Sequence, residues 1–143
     1  MNSSKTAAAK SSASKKMASA VLDSSAILAV LNDEPGADVV ESMMDDALIS
    51  TVNYAEVVTK LVERGGTALA AQAALQSIAL TTVDFDIALA QRTGGLRGET
   101  MRRGLSLGDR ACLALAEREG VPALTGDRSW VGAVSSVEIR LIR

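Results

Sequence analysis

The chain has 143 residues, a net charge of −2 and 48% hydrophobic residues, enough for one domain with one sizeable core and too apolar to stay unfolded. It contains no histidine and a single cysteine, which excludes imidazole bases, imidazole metal ligands and any intrachain disulfide. Aromatic residues make up only 2% (Tyr54, Phe85 and Trp130), too few for a platform that stacks nucleic-acid bases.

Residues 1–19 are almost wholly Ser, Ala, Lys and Thr, and carry Lys5, Lys10, Lys15 and Lys16 with no acid. They lack a periodic apolar face, so a disordered leader is expected over 1–19, followed by one domain over 20–143. Lys15 and Lys16 ahead of an apolar stretch superficially look like a secretion signal. Asp23 in the middle of that stretch argues against one, and no run of about 18 uncharged apolar residues occurs. A cytoplasmic protein without a membrane span is expected.

From residue 20 onward, short apolar runs alternate with helical patterns. Ala20–Leu22 reads as a strand that enters Asp23, and Ser24–Leu31 as a helix with Asp23 or Ser24 at its N-cap. Pro35 and Gly36 punctuate. Val39, Val40, Met43 and Met44 then recur at helical spacing, predicting a helix over 37–46. Ala47–Ser50 reads as a strand, with Thr51 capping a helix over 52–64 that Gly65 and Gly66 stop. An Ala-rich helix is predicted over 67–80, a strand at Thr81–Val83, and a helix opened by Asp84 and broken by Gly94, Gly95 and Gly98. Ser106 caps a helix over 106–119, in which Cys112 reads as a buried core residue. Strands over 121–125 and 137–142 complete the pattern, the last alternating apolar with charged residues as an edge strand does. Strand alternating with helix argues for an α/β layer fold with a mainly parallel sheet.

Four acids stand out: Asp23 after the first strand, Glu56 one turn inside the third helix, Asp109 in the first turn of the Ser106 helix, and Asp127 after the strand ending at Thr125. In open parallel sheets, sites gather beyond the carboxyl ends of the strands, and all four acids can reach that edge. Taken singly, each has a plainer reading. Asp23 fits a helix cap, Glu56 an exposed helix position, Asp109 the helix dipole and Asp127 a turn. Taken together, in a chain without histidine, clustered carboxylates suit hard divalent cations.

The text VLDSSAILAVL, STVNYAEV, LSLGDRACLALA and PALTGDRSW, in that order over residues 20–143, resembles the PIN-domain ribonucleases, specifically the VapC type of toxin. The resemblance implies a PIN-like three-layer α/β/α fold with a mainly parallel central sheet of 4–5 strands. It implies that Asp23, Glu56 and Asp109 are core metal-site acids and Asp127 a more variable fourth. It further implies that Thr125 helps hold Asp23 and that Asn53, in an N-x-x-E segment, supports Glu56.

The activity so implied is Mg²⁺-dependent endonucleolytic cleavage of single-stranded RNA, with Mn²⁺ as a substitute. One or two divalent ions lower the pKa of bound water and clamp phosphate oxygens, so no histidine base is required. A VapB-like antitoxin and a homodimer are the implied partners, with the helices over 37–46 and 52–64 as available surfaces. Arginines near the cleft would meet the phosphates, with Arg102 and Arg103 preferred over Arg92, Arg97, Arg110 and Arg128. The alternative is a PIN-like module that no longer cuts and works through protein contacts. A haloacid-dehalogenase type of phosphatase is disfavoured, because DSSAI lacks the second aspartate of that motif.

Overall fold

The computed structural model describes residues 17–143. The expected leader lies outside the described residues up to residue 16; Ser19 donates its N–H to the Asp46 carbonyl. The elements are β1 (Ala20–Leu22), α1 (Ser24–Leu31), α2 (Ala37–Glu41), β2 (Ala47–Ser50), α3 (Thr51–Glu63) and α4 (Ala68–Gln76). They continue with β3 (Thr81–Val83), α5 (Ile87–Gly95), α6 (Arg97–Thr100), α7 (Leu107–Glu119), β4 (Ala123–Thr125) and β5 (Ile139–Leu141). Short 3₁₀ turns occupy Met44–Asp46, Met101–Arg103 and Arg128–Trp130.

The five strands form one sheet in the order β3-β2-β1-β4-β5, and every pairing is parallel. Val21 lies opposite Leu48 on one side and Ala123 on the other, so β1 is central. The strands alternate between two cores, as a two-residue period requires. Ala20, Leu22, Ile49 and Leu124 pack with Ile27, Val40, Val57 and Leu75 from α1–α4. Val21 and Ala123 pack with Leu89, Leu96, Leu113 and Trp130 on the opposite face. The result is the expected α/β/α layering, and the expected burial of Cys112 is met in full.

Several element ends differ from the sequence reading, each for a local reason. The second helix stops at Glu41, where the Ser42 hydroxyl donates to the Val39 carbonyl and the chain tightens into a 3₁₀ turn. Ser77 ends α4 in the same way, donating to the Ala74 carbonyl. The cap of α3 is Ser50, which accepts from the Val52 N–H; Thr51 instead accepts from the Phe85 N–H across the layer. That anchor keeps residue 85 out of the helix, so Asp86, not Asp84, caps α5. Gly94 and Gly95 form the last turn of α5 instead of breaking it.

The chain runs from β1 outward to β2 and β3, then crosses to β4 and β5 on the other side of β1. The crevice at the carboxyl ends of β1 and β4 is therefore the switch point of the sheet, where such folds bind ligands.

Candidate metal centre

Asp23 ends β1 and occupies the N-cap position of α1, yet its side chain makes no capping bond. It is only 4% exposed. Its Oδ2 accepts from the Ser25 hydroxyl at 2.7 Å and the Thr125 hydroxyl at 2.8 Å, while its buried Oδ1 has no hydrogen-bond partner. Burial pushes the carboxyl up to about 6, with Asp109 and Glu56 adding to the rise and the two hydroxyls opposing it. The simple cap reading of Asp23 does not hold.

Thr125 does more than hold Asp23. Its Oγ1 also accepts from the Asp127 N–H at 3.1 Å, and Ser25 Oγ accepts from the Gly126 N–H at 3.0 Å. The ends of β1 and β4 are thus tied by two hydroxyls. Ser25 was not among the sequence candidates; the signal was the D-x-S spacing, which puts a hydroxyl in the first turn beside the acid it follows.

Glu56 is half-buried on α3. The buried Asn53 amide donates to Glu56 Oε1 at 2.9 Å and to the Gly108 carbonyl at 3.0 Å, linking the acid to the start of α7. Asp109 is the third residue of α7 and forms a reciprocal capping box with Ser106, its Oδ2 accepting from the Ser106 N–H at 2.9 Å. Its carboxyl is also raised, chiefly by burial, with Asp127 adding to the effect and Ser106 opposing it. Asp127 is exposed at the rim, where its Oδ1 accepts from the N–H and hydroxyl of Ser129.

The four acids therefore face one locality, and among the described residues none of them forms an ion pair. They do not stand as a ready-made cage: no three His, Cys, Asp or Glu side chains among the described residues have ligating spacing. Glu56, Asp109 and Asp127 each bond to their own neighbours. The donor chemistry fits a hard divalent cation nonetheless. Every candidate ligand is a carboxylate oxygen, none is tied up in an ion pair among the described residues, and one buried Asp23 oxygen lacks any partner.

A cleft of about 480 Å³ lies along the face of α3 that carries Val52, Glu56, Lys60 and Glu63, bounded by the start of α7; of the four acids, it is Glu56 that lines it. Lys60 follows Glu56 by one turn and is the only lysine beyond residue 16, a signal the sequence reading passed over. The arginines divide. Arg92 pairs with Glu117 and Glu99, and Arg110 donates to the Thr93 carbonyl, both turned onto α5 and α7. Arg97 reaches the Leu105 carbonyl and Arg128 that of Arg143, each at 3.5 Å. Arg103 pins the loop after Asp127 through the Ser129 and Val131 carbonyls, and its neighbour Arg102 is exposed.

The family model of the PIN domain matches residues 20–133. A ribonuclease VapC of Mycolicibacterium smegmatis is 38% identical over 113 residues, which cover 73% of this chain and 88% of that protein. The chain belongs to the PIN-domain family, in its VapC branch. Solved structures of the branch share the fold. DNA-bound VapBC from Salmonella typhimurium superposes with a TM-score of 0.71 at 19% identity, covering 89% of this chain and all of that one. VapC20 of Mycobacterium tuberculosis, a toxin that cleaves the sarcin-ricin loop, gives a TM-score of 0.66 at 23% identity, covering 81% and 97% of the two chains. The family resemblance carried by the four acidic segments is thus membership.

Proposed function

We propose that this chain is a divalent-metal-dependent endoribonuclease, the toxin of a toxin–antitoxin pair, and that Asp23, Glu56, Asp109 and Asp127 hold its metal. Nuclease activity comes with the family; the metal, the substrate and the roles of single residues are what is proposed. One observation carries the reading. A buried aspartate at the switch point keeps one oxygen without a partner, and among the described residues none of the neighbouring acids is held in an ion pair. A buried carboxylate without an ion-pair partner is costly unless a cation binds beside it.

A bound Mg²⁺, or Mn²⁺ in its place, supplies a water of lowered pKa and shields the charge that builds on the phosphate. The protein's own residues do the rest. Ser25 and Thr125 fix the orientation of Asp23 by occupying Oδ2, which leaves Oδ1 for the ion. Asn53 fixes Glu56, and the capping box fixes Asp109. Asp127, exposed and engaged by Ser129, contributes least. Lys60 in the cleft, with Arg102 and Arg103 beyond the rim, meets the backbone of a single-stranded RNA. With Trp130 fully buried, stacking on it plays no part in holding the substrate. A VapB-like antitoxin is the natural partner, since neighbouring structures of this fold are VapBC complexes, and a homodimer is the proposed assembly.

The test is cleavage of a labelled single-stranded RNA by the purified protein with Mg²⁺ and with EDTA. Cleavage only with the ion, lost in Asp23→Ala, is expected; equal cleavage in EDTA would overturn the mechanism. The non-cutting alternative has one observation on its side, that the acids do not yet stand at ligating spacing. Calorimetry with Mn²⁺ separates the two, because a silent module would release no binding heat.

A further inference from the structure

Gly108 is the second residue of α7 and is buried. Its backbone torsion lies outside the left-handed range, so its conformation is open to any residue. Glycine weakens a helix relative to alanine, and nothing in the local backbone asks for it here. What asks for it is space. A methyl group built on Gly108 would have Glu56 atoms as its three nearest neighbours, lying 2.6 Å from Oε1 and nearer still to Oε2. The carboxylate of Glu56 occupies the volume that any other side chain at 108 would fill. It sits there against the first turn of α7, the positive end of that helix's dipole. The buried Asn53 amide clips both partners together, donating to Glu56 Oε1 and to the Gly108 carbonyl.

We infer that Gly108 is a positioning residue for metal binding: its missing side chain is the seat that sets the Glu56 carboxylate in the centre. The inference rests on the reading of Asp23, Glu56 and Asp109 as metal ligands. A methyl at 108 meets only the far end of a flexible side chain, so Glu56 swings aside and the fold survives. The ion then loses a ligand held in place. The gain in helix propensity from alanine opposes any loss of stability, which separates this role from a packing role.

The experiment compares four proteins (wild type, Gly108→Ala, Glu56→Asp and the double variant) by thermal melting without metal and by Mn²⁺ calorimetry. Gly108→Ala is expected to melt no lower than the wild type and to bind Mn²⁺ about 10–100-fold more weakly, the range for a disturbed supporting shell. In the Glu56→Asp background, whose carboxylate is one methylene shorter and clears the methyl, Gly108→Ala is expected to change affinity by no more than about 2-fold. Unchanged Mn²⁺ affinity in a folded Gly108→Ala overturns the inference and leaves the metal centre standing. Equal losses in both backgrounds, or a lowered melting temperature, overturn it in favour of a packing role. A wild type that binds no Mn²⁺ overturns the metal centre, and the seat falls with it.

Discussion

Glu117, half-buried near the C-terminal end of α7, is gripped by Arg92 and by the Ser136 hydroxyl, and the Arg92 bond holds its carboxyl down at about 2. Asp23, at the end of β1, has only the Ser25 and Thr125 hydroxyls for partners, and burial drives it up to about 6. Near α5 the same logic repeats: Asp86, bonded by the Leu89 N–H and Arg118, lies below the ordinary aspartate range. One side of the molecule uses acids as mortar between helices. The carboxyl edge of the sheet gathers acids and, among the described residues, pairs none of them with a base. That asymmetry is what a cation site looks like before the cation is considered, and it can be broken from either side.

The largest effect is expected at the uncompensated end. Asp23→Asn should lower RNA cleavage by on the order of 10³-fold, since it removes the charge of the one proposed ligand that is both buried and oriented. Removing the supports should do less. Asn53→Ala and Thr125→Val each leave the acids in place but free them to turn, and a loss of about 10–100-fold in cleavage or Mn²⁺ affinity is expected.

The same Asp23→Asn change should stabilise the metal-free protein at pH 7.5. The folded carboxyl titrates near 6 against 3.8 for the unfolded chain, so its contribution is fully present below about 3.8 and is lost as pH rises through 6. Asparagine escapes that loss, worth about 1–3 kcal/mol at the upper pH and nothing near pH 3.5. Chemical denaturation at the two pH values checks it; a gain that persists at pH 3.5 would point to packing instead.

The smallest effect lies on the compensated side. Arg92→Ala should cost up to about 1 kcal/mol, because the pair is partly exposed, and should leave cleavage unchanged. Glu117 has its folded value below the ordinary 4.5, so what it contributes is present above that pH and is lost as pH falls toward 2. Thermal melts of the wild type and Arg92→Ala should therefore converge in acid.

How far the sequence could be read follows the same divide between local and assembled features. Alternating apolar runs located all five strands, and the parallel sheet made the ends of those strands a common edge, so the placement of Asp23, Glu56, Asp109 and Asp127 was legible. Ser106 as a cap was legible too, because a capping box is written within four residues. What escaped depends on contacts between distant segments. Asp86 caps α5 only because Thr51 holds Phe85 from another layer. Gly108 gains meaning only once α3 brings Glu56 against it. Ser25 looked like one more serine until β4 brought the Gly126 N–H to it. No periodicity encodes such meetings.

The bond from Thr125 to Asp23 joins residues 102 apart in the chain, and β1 has β4 as its neighbour on that side of the sheet. At a synthesis rate of roughly 5–20 residues per second, about 5–20 s separate the making of the two groups. Throughout that interval the nascent chain holds Asp23 with Ser25, and then Glu56 and Asp109, but not Thr125, the second of the two hydroxyls that orient Asp23. Order of synthesis and order of assembly therefore differ at this edge of the sheet. The proposed centre has all its supports only once β4, the fourth of the described strands in chain order, has been made and has paired with β1.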